Sequence, residues 1–121
     1  MHRHTISFLN AFRGIWTAII TQANLRVHFA IGSLVLFAAV ALQISLDQIL
    51  DLLLVIMLVM LAEMINTSIE FLADGITLEH REFIGHAKDV SAGAVLLTAI
   101  FAAIIGLIVF IPKLLQFIPS I

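Results

Sequence analysis

Hydrophobic positions along this chain form one amphipathic stretch followed by three runs nearly free of charge. Val27 to Leu46 carries no formal charge over 20 residues, about 30 Å as α-helix, which is enough to cross a hydrocarbon core. After SLDQILD the chain is apolar from Leu52 to Ala62 and then continues through an acid-bearing stretch. This pattern predicts a helix over 50–73 whose far end projects from the bilayer. Val90 to Pro112 lacks formal charge for 23 residues, and a third spanning helix is expected over 88–112, ended by Pro112 and Lys113. With spans at 27–46, 50–73 and 88–112, short loops, no linker and no internal repeat, residues 1–121 read as one all-α membrane domain.

The first stretch, about 5–24, differs in kind. Phe8, Leu9, Phe12, Ile15, Trp16, Ile19 and Ile20 fall on one helical stripe, with Ser7, Asn10, Arg13, Thr17 and Thr21 opposite. A helix packed in a bundle shows the same stripe, but Trp16 and the nearby arginine favour an amphipathic helix lying in the membrane interface.

Composition agrees with the pattern. The chain is 62% hydrophobic and only 12% charged, with a mean hydropathy of +1.17, well outside the soluble globular range. Without cysteine there are no disulfides, thiolate metal sites or cysteine nucleophiles. The N-terminus has no continuous apolar core before a cleavage site and is expected to stay in the mature protein. Arg3, Arg13 and Arg26 precede the first span and Arg81 and Lys88 lie between the second and third, whereas QISLDQILD has no basic residue. The positive-inside rule therefore predicts a multi-pass protein of the cell membrane with a cytoplasmic N-terminus and 74–88 loop; Lys113 is the minority charge outside.

The unusual feature is AEMINTSIEFLAD at 62–74, directly after LLLVIMLVML. A carboxylate at the bilayer centre costs about 2.5–3.5 kcal/mol on the gentler insertion scale. At 100° per residue, Glu63, Asn66, Glu70 and Asp74 nevertheless share one narrow stripe, a polar seam set into an apolar helix. Interhelical polar contact alone could use such a seam. Repulsion among three acids argues against that role unless a cation is present. Mg²⁺ suits the donors, since it takes a few carboxylate oxygens, keeps waters and binds together with nucleotide phosphates. EHREFIGHAKDV brings Arg81 and Lys88 to the same membrane face, and cations beside a metal-binding acid cluster are parts of a phosphoryl-transfer site. Taken singly, a basic residue at a helix boundary is usually a topology determinant. There is no GxxxxGK[ST] loop, no GxGxxG before a helix and no strand pattern, which excludes P-loop and protein-kinase folds. Of the histidines, His2 and His4 are terminal, His28 stands alone, and His80 and His86 are six apart, so none is expected to bind metal.

AEMINTSIEFLAD followed by AKDVSAGAVLL resembles the prokaryotic diacylglycerol kinase family, which includes the undecaprenol kinases. The resemblance extends over FLNAFRGIW, NLRVH entering the first span and the closing GLIVFIPKLL, the last of the undecaprenol-kinase kind. It implies a homotrimer of three-span subunits, each with an interfacial helix, sharing active sites between neighbours. The implied reaction is ATP- and Mg²⁺-dependent phosphorylation of a membrane lipid alcohol, either undecaprenol or diacylglycerol. Carried over by position, Glu63 is the general base beside the lipid hydroxyl, Asn66 hydrogen-bonds within the catalytic site, and Glu70 holds metal on the ATP phosphates. Arg3, Asp74, Glu79, His80, Arg81, Lys88 and Asp89 match the nucleotide-contacting end, and Ala92 the lipid side. Gln22 stands where many relatives carry a metal-binding Glu; its amide oxygen can coordinate Mg²⁺ and contact the nucleotide end, but without charge. No nucleic-acid partner is expected.

Two other classes fit the residues alone. A small proton or cation carrier would use the acids as a relay, and a non-catalytic scaffold would use them only for assembly. ATP-dependent formation of lipid phosphate separates the kinase from both. For assembly, Ala87 and Ser91, Ala99 and Ala103, and Ala102 and Gly106 are each four apart, a spacing that lets helix backbones approach closely.

Overall fold

The computed structural model describes residues 2–119, with side chains from residue 7 onward. Four helices follow in chain order: α1 (His2–Thr21), α2 (Ala23–Ala41), α3 (Leu46–Ile76) and α4 (Glu82–Leu115). Helices α2, α3 and α4 are long and apolar enough to cross a membrane, so the chain is an all-helical, multi-pass membrane protein.

Each boundary has a local cause. Gln22 adopts an extended conformation (φ −112°, ψ 104°) and separates α1 from α2. One turn on, Arg26 folds back, its Nη1 donating to the carbonyl oxygens of Ile19 at 2.6 Å and Ile20 at 3.2 Å. A cation thereby closes the negative end of α1. Helix α2 ends in a Schellman turn: Gln43 takes φ 57°, its N–H reaches Val40 O at 3.1 Å, and Ile44 N–H reaches Ala39 O at 3.0 Å. Ile44 and Ala39 then pack together in the core. Ser45 caps α3 by accepting from the Gln48 backbone N–H at 3.3 Å, with Asp47 in the first turn against the positive helix end.

Helices α3 and α4 are longer than the charge-free runs predict, whereas α2 covers 23–41 rather than 27–46, because it starts directly after Gln22 and the turn at Gln43 ends it early. Helix α3 covers 46–76 rather than 50–73, because the Ser45 cap starts it earlier. Helix α4 begins at Glu82, so Lys88 and Asp89 lie on a helix rather than at its edge. Pro112 does not end α4, which continues to Leu115. Proline removes one hydrogen bond to the preceding turn; near the end of a 34-residue helix that is a local loss and not a stop.

The buried apolar cluster is small, formed by Ala39, Ile44, Leu52 and Val109, while Ala18, Leu25, Val59 and Ala73 are buried singly along the bundle. Only 6% of the most apolar window of α4 is buried within the chain. Lipid or other subunits must cover the rest. Helices α2 and α3 approach through small residues, and a Cβ added at Gly32 would lie 2.7 Å from Ile56 Cγ2. Across from them Ala99, Ala102, Ala103 and Gly106 line an apolar groove of about 280 Å³ shared with α2 and α3. Ala87 and Ser91 line a second one against Ala62, Ile65 and Ile69. The small-residue pairs of α4 thus border grooves on the side of α2 and α3. Helix α1 sets Ala11, Gly14 and Ala18 against Met64, Thr67 and Phe71 of α3, while Phe8, Phe12 and Trp16 remain exposed.

The Ile56 branch is fixed at its own Cβ and cannot swing aside as a flexible tip would. Gly32→Val should therefore push α2 from α3 and cost about 1–3 kcal/mol, the usual penalty of overpacking. Denaturant unfolding in detergent micelles reads it, and an unchanged transition would contradict so close an approach.

Candidate active site

The polar stripe of α3 descends from the outside into the chain. Asp74 is exposed, Glu70 and Asn66 are half-buried, and Glu63 is 4% exposed. Three of the four are linked in pairs. Asn66 Nδ2 donates to Glu70 Oε1 at 3.4 Å, and Lys88 Nζ of α4 donates to Asp74 Oδ1 at 2.6 Å. The Asn66 Oδ1 is buried with no donor among the described residues. At the deep end His28 Nε2 of α2 stands 3.4 Å from Glu63 Oε1. The Thr67 hydroxyl next to it donates to the Glu63 backbone oxygen at 2.9 Å and so leaves the carboxylate alone.

At the shallow end the chain turns between α3 and α4. Thr77 Oγ1 accepts from the Glu79 N–H at 3.0 Å, which bends the segment so that Glu79, His80, Arg81 and Lys88 surround one hollow of about 170 Å³. Its Arg81–Glu79 pair is 4.0 Å apart and exposed, so it fixes little. One lysine, one arginine and a histidine against the single Glu79 carboxylate suit a polyanion such as a phosphate chain.

Other sequence-predicted residues stay apart from this group. Asp89 and Ala92 are exposed on α4, whereas buried Ser91 faces its own α3; Asp89, two residues away from Ser91, points to the other side of the helix. Lys88 and Asp89 therefore do not act on one seam within the chain. Gln22 is bonded locally, its Nε2 donating to Thr21 Oγ1 at 3.4 Å. The Arg3 side chain lies outside the described residues. No group of three histidine or acidic residues among the described residues could hold a metal within the chain. Glu70 and the unpaired Asn66 oxygen are hard oxygen donors, and they fit a Mg²⁺ that takes one or two carboxylates and completes its shell with water and phosphate.

His28 is the residue that the sequence does not reveal. It is 35 positions from Glu63, and its meeting with the acid depends on the pairing of two helices. The available signal is its place three residues after Leu25 and four before Gly32, both buried against the bundle.

A family model described as prokaryotic diacylglycerol kinase matches residues 9–110. The chain belongs to this family. It is 37% identical over 114 residues to an undecaprenol kinase of Bacillus subtilis (strain 168), covering 94% of this chain and 93% of that one. To a diacylglycerol kinase of Synechocystis it is 38% identical over 112 residues, 92% of this chain and 64% of that longer protein. A diacylglycerol kinase of Escherichia coli (strain K12) is 37% identical over 97 residues, with 78% of this chain and 77% of that one covered. The protein is thus a lipid kinase of the prokaryotic diacylglycerol kinase family, acting on a membrane lipid alcohol. Its seam, loop hollow and α4 motif all lie inside the matched span.

The Asp74–Lys88 bridge of this kinase is short but partly exposed. A double-mutant cycle with Asp74→Ala and Lys88→Ala should give a coupling to stability of about 1 kcal/mol or less. A much larger coupling in micelle unfolding would mean that the pair holds α3 to α4, and would remove the interpretation of its residues as mainly functional.

Proposed function

We propose that this lipid kinase transfers the γ-phosphate of ATP to the hydroxyl of undecaprenol or diacylglycerol, with Glu63 as general base and Glu70 holding Mg²⁺ on the nucleotide phosphates. The observation that carries this reading is the gradient along α3, from Glu63 buried in the span to Asp74 exposed beside Lys88. A lipid tail stays in hydrocarbon, so its hydroxyl meets the deep carboxylate; ATP stays in water and meets the shallow end. Depth sorts the two substrates.

In the proposed reaction the lipid O–H proton passes to the Glu63 carboxylate as the oxygen forms its bond to the γ-phosphorus. The bond from that phosphorus to the ADP oxygen breaks, and ADP leaves with the electron pair. Glu63, 4% exposed, is shielded from water that would compete as acceptor. Lys88, Arg81, His80, Glu79 and Asp74 surround the phosphate end, with Arg3 as a further nucleotide contact, and Lys88 and Arg81 supply positive charge there. Asn66 orients Glu70 through its amide N–H. Mg²⁺, when bound with ATP, offsets charge on the transferring phosphoryl group. Gln22 would add a neutral oxygen at most, which favours one strongly held ion.

The same reading sets the chain in the cell membrane with its N-terminus and 77–81 loop in the cytoplasm, where ATP is. Helix α1 lies in the interface, its exposed Phe8, Phe12 and Trp16 in the acyl boundary. The active unit is a homotrimer in which α4 also faces a neighbour's seam. Exposed Asp89 and Ala92, turned from their own α3, support that arrangement, as does the unpaired Asn66 oxygen.

Purified protein with radiolabelled ATP and either lipid tests the central reading. Both lipids should be labelled, undecaprenol the more, because likeness to the B. subtilis undecaprenol kinase runs over 93% of that protein, against 64% of the Synechocystis diacylglycerol kinase. Glu63→Gln should keep ATP binding and lose about 10²-fold or more in turnover, as when an acid–base group is removed. Near-normal turnover would remove Glu63 from the mechanism. For shared sites, mixing inactive Glu63→Gln subunits with inactive Asp89→Asn subunits should restore part of the activity. Hetero-oligomers no more active than either parent would assign each site to one chain.

A further inference from the structure

Glu63 and His28 each occupy a packing position of their helix. On α2 the stripe facing the bundle is Leu25, His28, Gly32 and Ala39; on α3 it is Leu52, Val59, Glu63 and Thr67. Apolar or small residues fill these stripes on both sides of the pair. The one polar position of the α2 stripe is level with the one carboxylate of the α3 stripe, and Gly32, a turn from His28, draws the two backbones together. Their separation of 3.4 Å slightly exceeds the 2.7–3.2 Å of an N–H···O hydrogen bond, a looseness common where a site awaits its substrate. No other basic group among the described residues comes within ion-pair distance of the Glu63 carboxylate.

We propose that His28 is a positioning residue for Glu63: its Nε2–H holds Oε1 and leaves Oε2 free to take the proton of the lipid hydroxyl. The inference rests on Glu63 being the base. A carboxylate turns easily about its last torsion, which has broad and nearly two-fold wells. In an apolar surround one fixed donor selects one orientation and partners a buried charge that water does not reach. The lipid hydroxyl then meets a pre-set oxygen, so His28 contributes to the rate of the chemical step and not to nucleotide binding.

The test uses the purified kinase in micelles with His28→Leu, which keeps bulk but removes the donor, and His28→Gln, which keeps an N–H. Each is made with and without Glu63→Gln, and kcat, KM for ATP and the thermal midpoint are measured. His28→Leu should lower kcat about 10–100-fold, the loss typical when a group orienting a reactive side chain is removed, with KM for ATP within about twofold. His28→Gln should recover a large part of that loss. In the Glu63→Gln background His28→Leu should lower residual turnover no further, because its effect passes through the missing carboxylate. Independent, multiplicative losses would overturn the proposal. So would equal losses for Gln and Leu at an unchanged thermal midpoint. If His28→Leu does not fold, His28→Asn, polar but too short to reach Oε1, takes its place with the same expectations. Normal turnover in Glu63→Gln would overturn the base and its positioning partner together; collapse in Glu63→Gln with normal turnover in His28→Leu would overturn the partner alone.

Discussion

A carboxylate buried at a packing position of a membrane helix is the constraint on which the rest of this molecule turns. Glu63 sits where the α3 stripe has Leu52 and Val59 at the preceding contacts, and it is 4% exposed. The insertion cost of such a group is about 2.5–3.5 kcal/mol at the bilayer centre. The fold lowers that cost by geometry. The 31 residues of α3 make about 46 Å of helix, longer than a 30 Å hydrocarbon core, so one part of the helix must project beyond it. Helix α1 lies across the segment of the seam, with small residues toward Thr67 and Phe71. A gradient of burial runs from Glu63 to Asp74, and under the proposed reaction it is the gradient that joins a lipid hydroxyl to a nucleotide.

The pairing at the deep end depends on details far from it. The Schellman turn at Gln43 and the Ser45 cap fix how α2 and α3 run back along each other, and with that which residues share a level. Gly32 then allows the close approach that brings His28 to Glu63. No single contact is large; the buried apolar residues among the described ones are few, and four of them, Ala39, Ile44, Leu52 and Val109, form the one cluster at the far end. Position is specified by turn geometry and small residues, the means available where lipid is as apolar as leucine and the hydrophobic effect does not choose between helix partners.

The sequence makes some of this legible and conceals the rest for stated reasons. Helical periodicity places Glu63, Asn66, Glu70 and Asp74 on one stripe without tertiary information, and the structure grades that stripe by burial. Charge-free runs locate the three long helices but mark where hydrocarbon can be crossed, not where backbone hydrogen bonds end. That is why α4 starts at Glu82 and passes Pro112. His28 looks solitary because its partner is on another helix. AKDV reads as one motif, yet Lys88 reaches Asp74 while Asp89, 100° further round, is turned from the seam. Adjacent letters on a helix belong to different surfaces, and only packing tells which.

A phosphoryl-transfer enzyme of four helices, without a phosphate loop or a sheet to carry one, needs another way to align its reactants. Soluble kinases spend much of their fold holding two mobile substrates in register. Here the membrane contributes part of that work, because a lipid hydroxyl is already confined to a plane and the seam only has to cross that plane at a fixed depth. Confinement of this kind supplies a share of the entropy that a site otherwise extracts from binding contacts. If the reaction runs as proposed, the protein's remaining task is angular: aiming one carboxylate at the hydroxyl and a few cations at the phosphates. Under the proposed reaction, His28 on Glu63 and Lys88 on Asp74 are the two fixed points of that aim, one at each end of the seam. Helix α4 packs on α3 along one side but leaves most of its apolar surface uncovered within the chain, and its Asp89 is exposed. A fold that relies on its surroundings for burial can rely on a neighbouring copy for chemistry by the same exposed surface.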